Sequence, residues 1–149
     1  MRNLKQNNKV NTIETVSPIN CFDYNDYSKE GNELLKVYGD TKGHICVYNE
    51  STKCFSVERK NTINDIKFYN SKAAGNDITA FAYCSASCSA GFFIRENPAD
   101  ERSYKERYTL KHSQAITGLS FHPLQEYVIF SSLDKFWSFH NILKVSLIT

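Results

Sequence analysis

The sequence lacks any long apolar run and any marked excess of one charge sign. No stretch approaches the ~18 consecutive apolar residues of a membrane-spanning helix, so we expect no membrane span. The opening residues, MRNLKQNNKVNT, are polar throughout, so we expect no signal peptide. The chain has 18 Lys and Arg residues and 16 Asp and Glu residues, which gives a formal net charge of +2. Nucleic-acid-binding proteins usually carry a strongly basic patch, so we expect no direct nucleic-acid partner.

Several motifs of enzymes and of cofactor-binding or metal-binding proteins are also missing. We find no glycine-rich phosphate loop, no paired catalytic carboxylates and no HExxH motif. Cys84 and Cys88 suggest zinc, with His112 or His122 as further ligands, but structural zinc sites usually need a second close pair of ligands. No second cysteine pair exists, so we predict neither a metal nor a cofactor. The odd count of five cysteines indicates free thiols in a reducing compartment.

The residues present are typical of a globular β-rich protein. Hydrophobic residues make up 41% of the chain and aromatic residues 13%, too much apolar content for a disordered chain. A chain of 149 residues is long enough to bury about 70% of its unfolded surface in one domain. The composition therefore favours one folded domain.

The most informative stretch is 111–141, KHSQAITGLSFHPLQEYVIFSSLDKFWSFHN. It predicts three short strands, ITGLSFH, YVIFSS and FWSFHN, because β-branched and aromatic residues fill them and turn residues bound them. Pro123 belongs in the first turn because it fixes φ and has no backbone donor. Asp134 belongs in the second turn, where a short polar side chain can bond to the turn backbone.

The same strand-turn-strand order occurs twice earlier in the chain. The first strands of the three units begin at Ile19, Ile63 and Ile116, which lie 44 and 53 residues apart. The first interval falls in the ~40–45 residue period of a propeller blade, and the second includes a loop insertion at 96–103. We predict a polar lead-in over 1–16, with a possible strand at 10–16. Three blades follow, at about 17–60, 61–110 and 111–149.

The third unit resembles a WD repeat. His112, Phe121-His122-Pro123 and the segment 131–134 (SSLD) stand where that repeat has its His, its Phe-x-Pro and its Ser-x-x-Asp. His140-Asn141 replace the usual Trp-Asp, and Trp137 comes three residues after the turn Asp. This odd tryptophan placement resembles one blade of the pre-mRNA-processing factor 19 family, spliceosomal ubiquitin ligases whose C-terminal part is a WD-repeat propeller.

This resemblance implies an all-β fold, a partial WD-repeat β-propeller of about three four-stranded antiparallel blades. Propellers close with about four to eight blades, and unprotected end repeats compromise solubility. Three blades leave two apolar faces uncovered. We therefore expect the remaining blades to be missing from this chain, which would make it a fragment of a longer propeller. A truncated product or half of an assembly are the alternatives.

The resemblance also implies a function. It suggests a nuclear, non-catalytic protein-binding module of a splicing ubiquitin ligase, with spliceosomal or ubiquitin-pathway proteins as partners. The alternative is a WD-repeat scaffold outside splicing, because fold does not fix function. The family transfers ubiquitin through an N-terminal U-box followed by a coiled coil. These residues contain neither, so we expect ligase activity only from a full-length relative.

Two sets of residues are candidate sites. The set of His112, Ser131, Ser132 and Asp134 could be read as a catalytic triad, but nucleophilic catalysis also needs an oxyanion site. The WD resemblance implies instead a structural hydrogen-bond network, with His140 as a weaker fourth member in place of Trp. The second set is a predicted core of three aromatic residues, Trp137, Phe139 and Phe121.

The charged segment Glu96 to Arg107 mixes both charge signs. Such a segment is most simply a solvated loop, although loops on a rigid scaffold often carry partner contacts. The sequence leaves both interpretations open.

Overall fold

The computed structural model of the protein describes residues 12–25, 34–70, 74–75, 78–144 and 146–147. Three four-stranded antiparallel sheets follow one another along the chain, and each uses strands that are consecutive in sequence. The first sheet contains β1 (Ile19–Asn25), β2 (Leu35–Asp40), β3 (His44–Asn49) and β4 (Thr52–Glu58). The second contains β5 (Ile63–Phe68), β6 (Ala80–Ser85), β7 (Ser89–Arg95) and β8 (Tyr104–Lys111). The third contains β9 (Ile116–Phe121), β10 (Tyr127–Ser132), β11 (Trp137–Asn141) and β12 (Ser146–Leu147).

The predicted fold class, an all-β partial propeller of three four-stranded antiparallel blades, is confirmed. At the ends of the chain the agreement is partial. Residues 12–16 form no strand, and residues 10–11 of the possible strand at 10–16 lie outside the described residues. The outer strand of the third sheet is described only at Ser146–Leu147.

The three sheets share one turn geometry between their second and third strands. The turn residue with positive φ is Gly43 (99°) in the first sheet, Cys88 (69°) in the second and Lys135 (74°) in the third. Only the first sheet uses glycine there. A Cβ on Gly43 would lie 2.0 Å from the carbonyl oxygen of Arg59, so close packing as well as φ requires glycine at this position.

The inner strands β1, β5 and β9 contact one another in sequence and share a repeated pattern of side-chain bonds. The side-chain amide of Asn20 donates to the carbonyl oxygen of Ile63 at 2.8 Å. One sheet later, the side-chain amide of Asn64 donates to the carbonyl oxygen of Ile116, also at 2.8 Å. Because the same bond links each sheet to the next, the sheets are related by one repeated step, as the blades of a propeller are.

Two carboxylates also link each sheet to the inner strand of the next sheet. Asp23 Oδ2 accepts from the backbone N–H of Phe68 at 2.8 Å, and Asp65 Oδ2 accepts from that of Leu119 at 3.3 Å. Both N–H groups lie on inner strands, which have no further strand beside them in their own sheet. The preceding sheet thus satisfies donors that the edge strand would otherwise leave unpaired.

The hydrophobic core lies between neighbouring sheets. One cluster fills the space between the first and second sheets and includes Val37, Ile45, Ile66, Phe81 and Phe93. The other lies between the second and third sheets and includes Ala82, Phe92, Leu119, Val128 and Phe130. Each sheet is therefore held mainly by its neighbours, as expected for repeat units.

Among the described residues, two sheet faces have no neighbouring sheet. The open face of the third sheet displays Ile129, Trp137 and Phe139, with Trp137 60% exposed. The predicted core position of Trp137 is therefore wrong for this chain, because no sheet covers the face on which it lies. Phe139 and Phe121, the other two predicted core residues, are half-buried.

Candidate interaction surface and its polar network

His112 and Asp134 form the centre of a hydrogen-bond network at one end of the third sheet. His112 lies in the connection from β8 to β9, and Asp134 lies in the turn between β10 and β11. His112 Nδ1 is 2.9 Å from Asp134 Oδ2, and the backbone N–H of Ser113 donates to the same oxygen at 3.1 Å. The network fixes the connection between the second and third sheets to the β10–β11 turn of the third sheet.

Asp134 is held in its charged form. Burial alone would raise the pKa of its carboxyl group, but hydrogen bonds from the backbone N–H of Phe136 and from His112 outweigh that effect. Together with the bonds from Ser113 and Ser132, they lower the pKa of Asp134 to about 2. The carboxylate therefore stays ionised, and an acceptor, across the neutral pH range.

The two serines predicted for this network differ in role. Ser132 Oγ lies 3.0 Å from the carbonyl oxygen of Ala115 and 3.2 Å from the backbone nitrogen of Asp134, so it joins the network. Ser131 does not. Its side chain is exposed on the other face of the sheet, 3.3 Å from Thr117 Oγ1.

The fourth member of the network is Ser138, and the expectation that His140 would fill this place is wrong. His112 Nε2 is 3.1 Å from Ser138 Oγ, whereas neither ring nitrogen of His140 has a hydrogen-bond partner among the described residues. His140 is 1% exposed, and its ring packs against Tyr108 and Phe130 at centroid distances of 5.4 and 5.9 Å. It is a packing residue of the interface between the second and third sheets.

The first sheet has an analogous network that the sequence analysis missed. Asp40, 1% exposed, accepts from the backbone N–H groups of Lys42 (2.9 Å) and His44 (2.8 Å). The hydroxyl of Ser17 and His44 Nδ1 bond to its other oxygen. Burial raises the pKa of Asp40, but these bonds together lower it below its ordinary value. Its position at the end of β2, just before the Gly43 turn, was the available sequence signal.

In the second sheet, serine side chains form the hydrogen bonds that support the corresponding turn. Ser85, Ser87 and Ser89 bond through their hydroxyl oxygens in a chain, with both distances 3.0 Å. Ser85 Oγ also donates toward the carbonyl oxygen of Lys60 at 3.0 Å. Side-chain networks thus support the same turn in all three sheets, with an aspartate and a histidine in the first and third sheets and serines in the second.

A further polar cluster joins the first two sheets. The guanidinium group of Arg59 donates to Tyr83 Oη at 3.1 Å and forms an ion pair with Glu106. The Tyr83 hydroxyl donates to Glu106 Oε1 at 3.0 Å. Burial and then the charge of Glu106 raise the pKa of Tyr83 to about 12, so its hydroxyl keeps its proton. The cluster contributes to holding the two sheets together.

The cysteines of the zinc hypothesis are not gathered with other ligands. Cys84 is buried, and burial followed by the nearby charge of Asp65 raises the pKa of its thiol to about 12. In the part of the chain that the structure describes, no group of three or more His, Cys, Asp or Glu side chains could hold a metal ion. The same residues include no helix with the length and hydropathy of a membrane span.

The rim that carries these networks is rich in exposed lysine. The connections before each inner strand and the turns between second and third strands lie side by side there. The carbonyl oxygen of Thr62 accepts from the backbone N–H of Ala86 at 2.9 Å, for example. The exposed lysines of this basic rim are Lys42, Lys60, Lys111 and Lys135. The rim acids Asp40 and Asp134 point their carboxylates into the internal networks, whereas the side chain of Glu58, at the end of β4, is 73% exposed. The exposed lysines outnumber this carboxylate, so the solvent-facing charge is mainly positive.

The charged segment predicted from the sequence lies at the opposite rim and is held in place. Arg95 Nη2 donates to the carbonyl oxygen of Pro98 at 2.6 Å, and the Ser103 hydroxyl bonds to the carbonyl oxygen of Asp100 at 2.7 Å. Asn49 of the first sheet donates to Glu101 Oε2 at 3.0 Å. Residues 96–103 of the segment are therefore a structured loop fixed to two sheets, and the rest of the segment belongs to β8.

Comparisons with known proteins agree with this geometry. No family model matches the chain. The chain is 28% identical, over an alignment of 151 residues, to pre-mRNA-processing factor 19 of Dictyostelium discoideum. The alignment covers 94% of this chain but only 26% of that protein. Among solved structures, the crystal structure of the RRP9 WD40 repeats matches with a TM-score of 0.71 and 14% identity, covering 92% of this chain and 39% of that one. The chain therefore has the fold of a WD-repeat β-propeller and resembles part of pre-mRNA-processing factor 19.

Proposed function

We propose that this chain is a non-catalytic protein-binding module of a pre-mRNA-processing factor 19-like ubiquitin ligase and acts in pre-mRNA splicing in the nucleus. The WD-repeat fold and the distant sequence similarity support a protein-interaction module. The observation that carries the splicing role is the similarity to the splicing factor along 94% of the chain. The chain spans 26% of that relative's length, so we take it as part of a larger protein.

The polar networks have a structural role in this proposal. His112, Ser132, Ser138 and Asp134 tie the connection before β9 to the turn before β11. Buried polar groups need such partners, and a satisfied network stabilises a turn. The networks thereby hold the loops of the basic rim in fixed positions.

We propose the basic rim as the surface that contacts partner proteins. Two of its lysines lie in turns, one in a connection and one at the end of β8, whereas Asp40 and Asp134 bond inside the protein. A positive surface of this kind favours acidic segments of partner proteins and speeds their association. Spliceosomal or ubiquitin-pathway proteins with acidic surface segments are the expected partners.

An affinity pull-down from nuclear extract, with the bound proteins identified by mass spectrometry, tests this function. We expect spliceosomal proteins to be retained by the wild-type chain. They should be lost from a variant with Lys42, Lys60, Lys111 and Lys135 each replaced by Glu. A matched control makes the same charge change away from the basic rim, with Arg102, Lys105, Arg107 and Lys144 replaced by Glu, and should retain the partners.

Three results would count against the proposal or a part of it. Retention of no spliceosomal protein by the wild-type chain would contradict the splicing role. Reproducible retention of a different set of proteins would favour a WD-repeat scaffold outside splicing. If both charge variants lost their partners equally, the contact would not lie on the basic rim.

A further inference from the structure

The interface between the first and second sheets is repeated between the second and third. In strand register, Gly39, Cys84 and Ser131 are equivalent, because they pair with Ile45, Ala90 and Trp137 at the same step of each hairpin. Equivalent residues can therefore be compared across the three sheets. This comparison shows what each open face would pack against.

The open face of the third sheet corresponds to faces that are buried elsewhere in the chain. Trp137 takes the position of Ile45 and Ala90, which are both fully buried in the first and second sheets. Ile129 likewise takes the position of Val37 and Ala82, both buried. These buried counterparts all face the following sheet. The third sheet therefore presents the surface that normally receives the next blade.

The open face of the first sheet corresponds to the face by which the second sheet packs against the sheet before it. Phe22 is equivalent to the buried Ile66, and Tyr38 is equivalent to the buried Tyr83. In the second sheet those positions face the preceding sheet. Phe22 is instead 73% exposed and lines an apolar groove of about 530 Å³ with Ile13, Ile19, Tyr24 and Tyr38. The first sheet thus presents the surface that a preceding blade would cover.

The residues just before β1 are also arranged as if they followed the outer strand of a preceding sheet, which would cover this groove. The carbonyl oxygen of Pro18 accepts from the backbone N–H of Thr41 at 3.0 Å. The same bond occurs at each of the two internal connections, where it follows an outer strand, β4 or β8, of the preceding sheet. Residues 12–16 therefore correspond to the end of β4 or β8. They occupy the place where the outer strand of a preceding sheet would end.

We propose that two copies of this chain associate head to tail and close a ring of six sheets. The open face of the third sheet of each copy covers the open face of the first sheet of the other. Six sheets fall within the ~4–8 blades with which propellers close. In the third sheet, β12 pairs with β11 only at His140 and Asn141 among the described residues. Residues 12–16 of the second copy therefore lie beside the end of β11 that contains Trp137.

This inference concerns the 149-residue chain by itself and rests on the repeated sheet geometry, so its failure would leave the proposed splicing role standing. Its success would count against the proposal that the chain is part of a larger protein, because a second copy would then cover the two open faces. The contact is heterologous, since two different surfaces meet, and such contacts form either closed rings or open filaments. Measurement of the assembly mass separates these outcomes.

Light scattering coupled to size-exclusion chromatography provides the test on the 149-residue chain. We expect a mass of about twice the 17.1 kDa of one chain. Phe22→Asp and Trp137→Asp should each weaken association by at least about 30-fold, as expected when an interface hot spot is lost. Both side chains are exposed within one copy, so neither change should unfold it. Leu124→Asp, which alters an equally exposed apolar residue outside both faces, should leave the dimer intact.

Mixing the two variants decides whether the contact is head to tail. The Phe22→Asp chain keeps an intact third sheet and the Trp137→Asp chain keeps an intact first sheet, so a one-to-one mixture should regain a dimer through one unaltered contact. A monomeric wild-type chain would overturn the proposal. A dimer that survives either substitution, a mixture that stays monomeric, or masses that grow with concentration toward filaments would also overturn it.

Discussion

His140 should make the stability of this protein depend on pH between pH 6.5 and pH 4. Its ring is buried between the second and third sheets without a hydrogen-bond partner among the described residues. Burial and then the nearby His112 lower its pKa from 6.5 to about 4. Replacing His140 with Phe keeps an aromatic ring against Tyr108 and Phe130 and removes the titrating group.

The size of the expected stability loss follows from the lowering of the His140 pKa. A difference of about 2.5 pKa units corresponds to on the order of 3 kcal/mol between the two protonation states. Because the folded-state pKa is depressed, this stability is fully present above pH 6.5 and is lost as the pH falls toward 4. Over that window the unfolded chain binds a proton that the folded protein excludes. At pH 4.5 the loss should be about 2.5 kcal/mol.

Urea unfolding at pH 7 and pH 4.5, followed by far-ultraviolet circular dichroism at one fixed protein concentration, measures this loss. The wild-type protein should lose about 2.5 kcal/mol more than His140→Phe between the two pH values. Carboxylates such as Asp40 and Asp134 contribute equally to both proteins, so they cancel in the comparison. His122→Phe, a change at an exposed histidine, should retain the wild-type pH dependence. Equal pH dependence in wild type and His140→Phe would refute the reasoning.

Two other substitutions test the turn and the open face. Gly43→Ala should lower the free energy of unfolding by about 1–3 kcal/mol, measured by urea unfolding, because φ is 99° and the added Cβ meets the Arg59 carbonyl. An unchanged midpoint would contradict the turn geometry. In the Phe22→Asp background, Trp137→Ala should change the free energy of unfolding by less than about 0.5 kcal/mol, since the side chain is exposed in the monomer. A loss of several kcal/mol would show that Trp137 is a core residue after all.

The sequence was sufficient to predict the repeat, because turn residues and alternating apolar residues are local features. The bond between His112 and Asp134 was expected from the WD-repeat resemblance, and the two side chains are 2.9 Å apart. That Ser138, and not His140, is the fourth member of the network was not predicted. Both side chains lie on the same face of β11, and Ser138 lies nearer the β10–β11 turn than His140 does. Which of them meets His112 depends on where the connection from β8 to β9 lies along β11, and that position is set by the packing of the second sheet on the third.

Trp137 shows a second limit of the sequence. Its position in the repeat is that of a buried residue, and the equivalent Ile45 and Ala90 are indeed buried. Whether a repeat position is buried depends on the neighbouring sheet, however, and the pattern within one repeat contains no information about its neighbour. The network around Asp40 was missed for a related reason, since its partner Ser17 precedes the first strand and lies 23 residues away.

The central claim is that the sheets follow one another around an axis by a single repeated step, and amide hydrogen exchange observed by NMR tests it directly. Asp23 accepts from the backbone N–H of Phe68, and Asp65 accepts from that of Leu119. Asp23→Ala should accelerate exchange at Phe68 by about tenfold without affecting Leu119, and Asp65→Ala should do the reverse. Unchanged exchange at both amides, or equal acceleration of both by either variant, would contradict the repeated step.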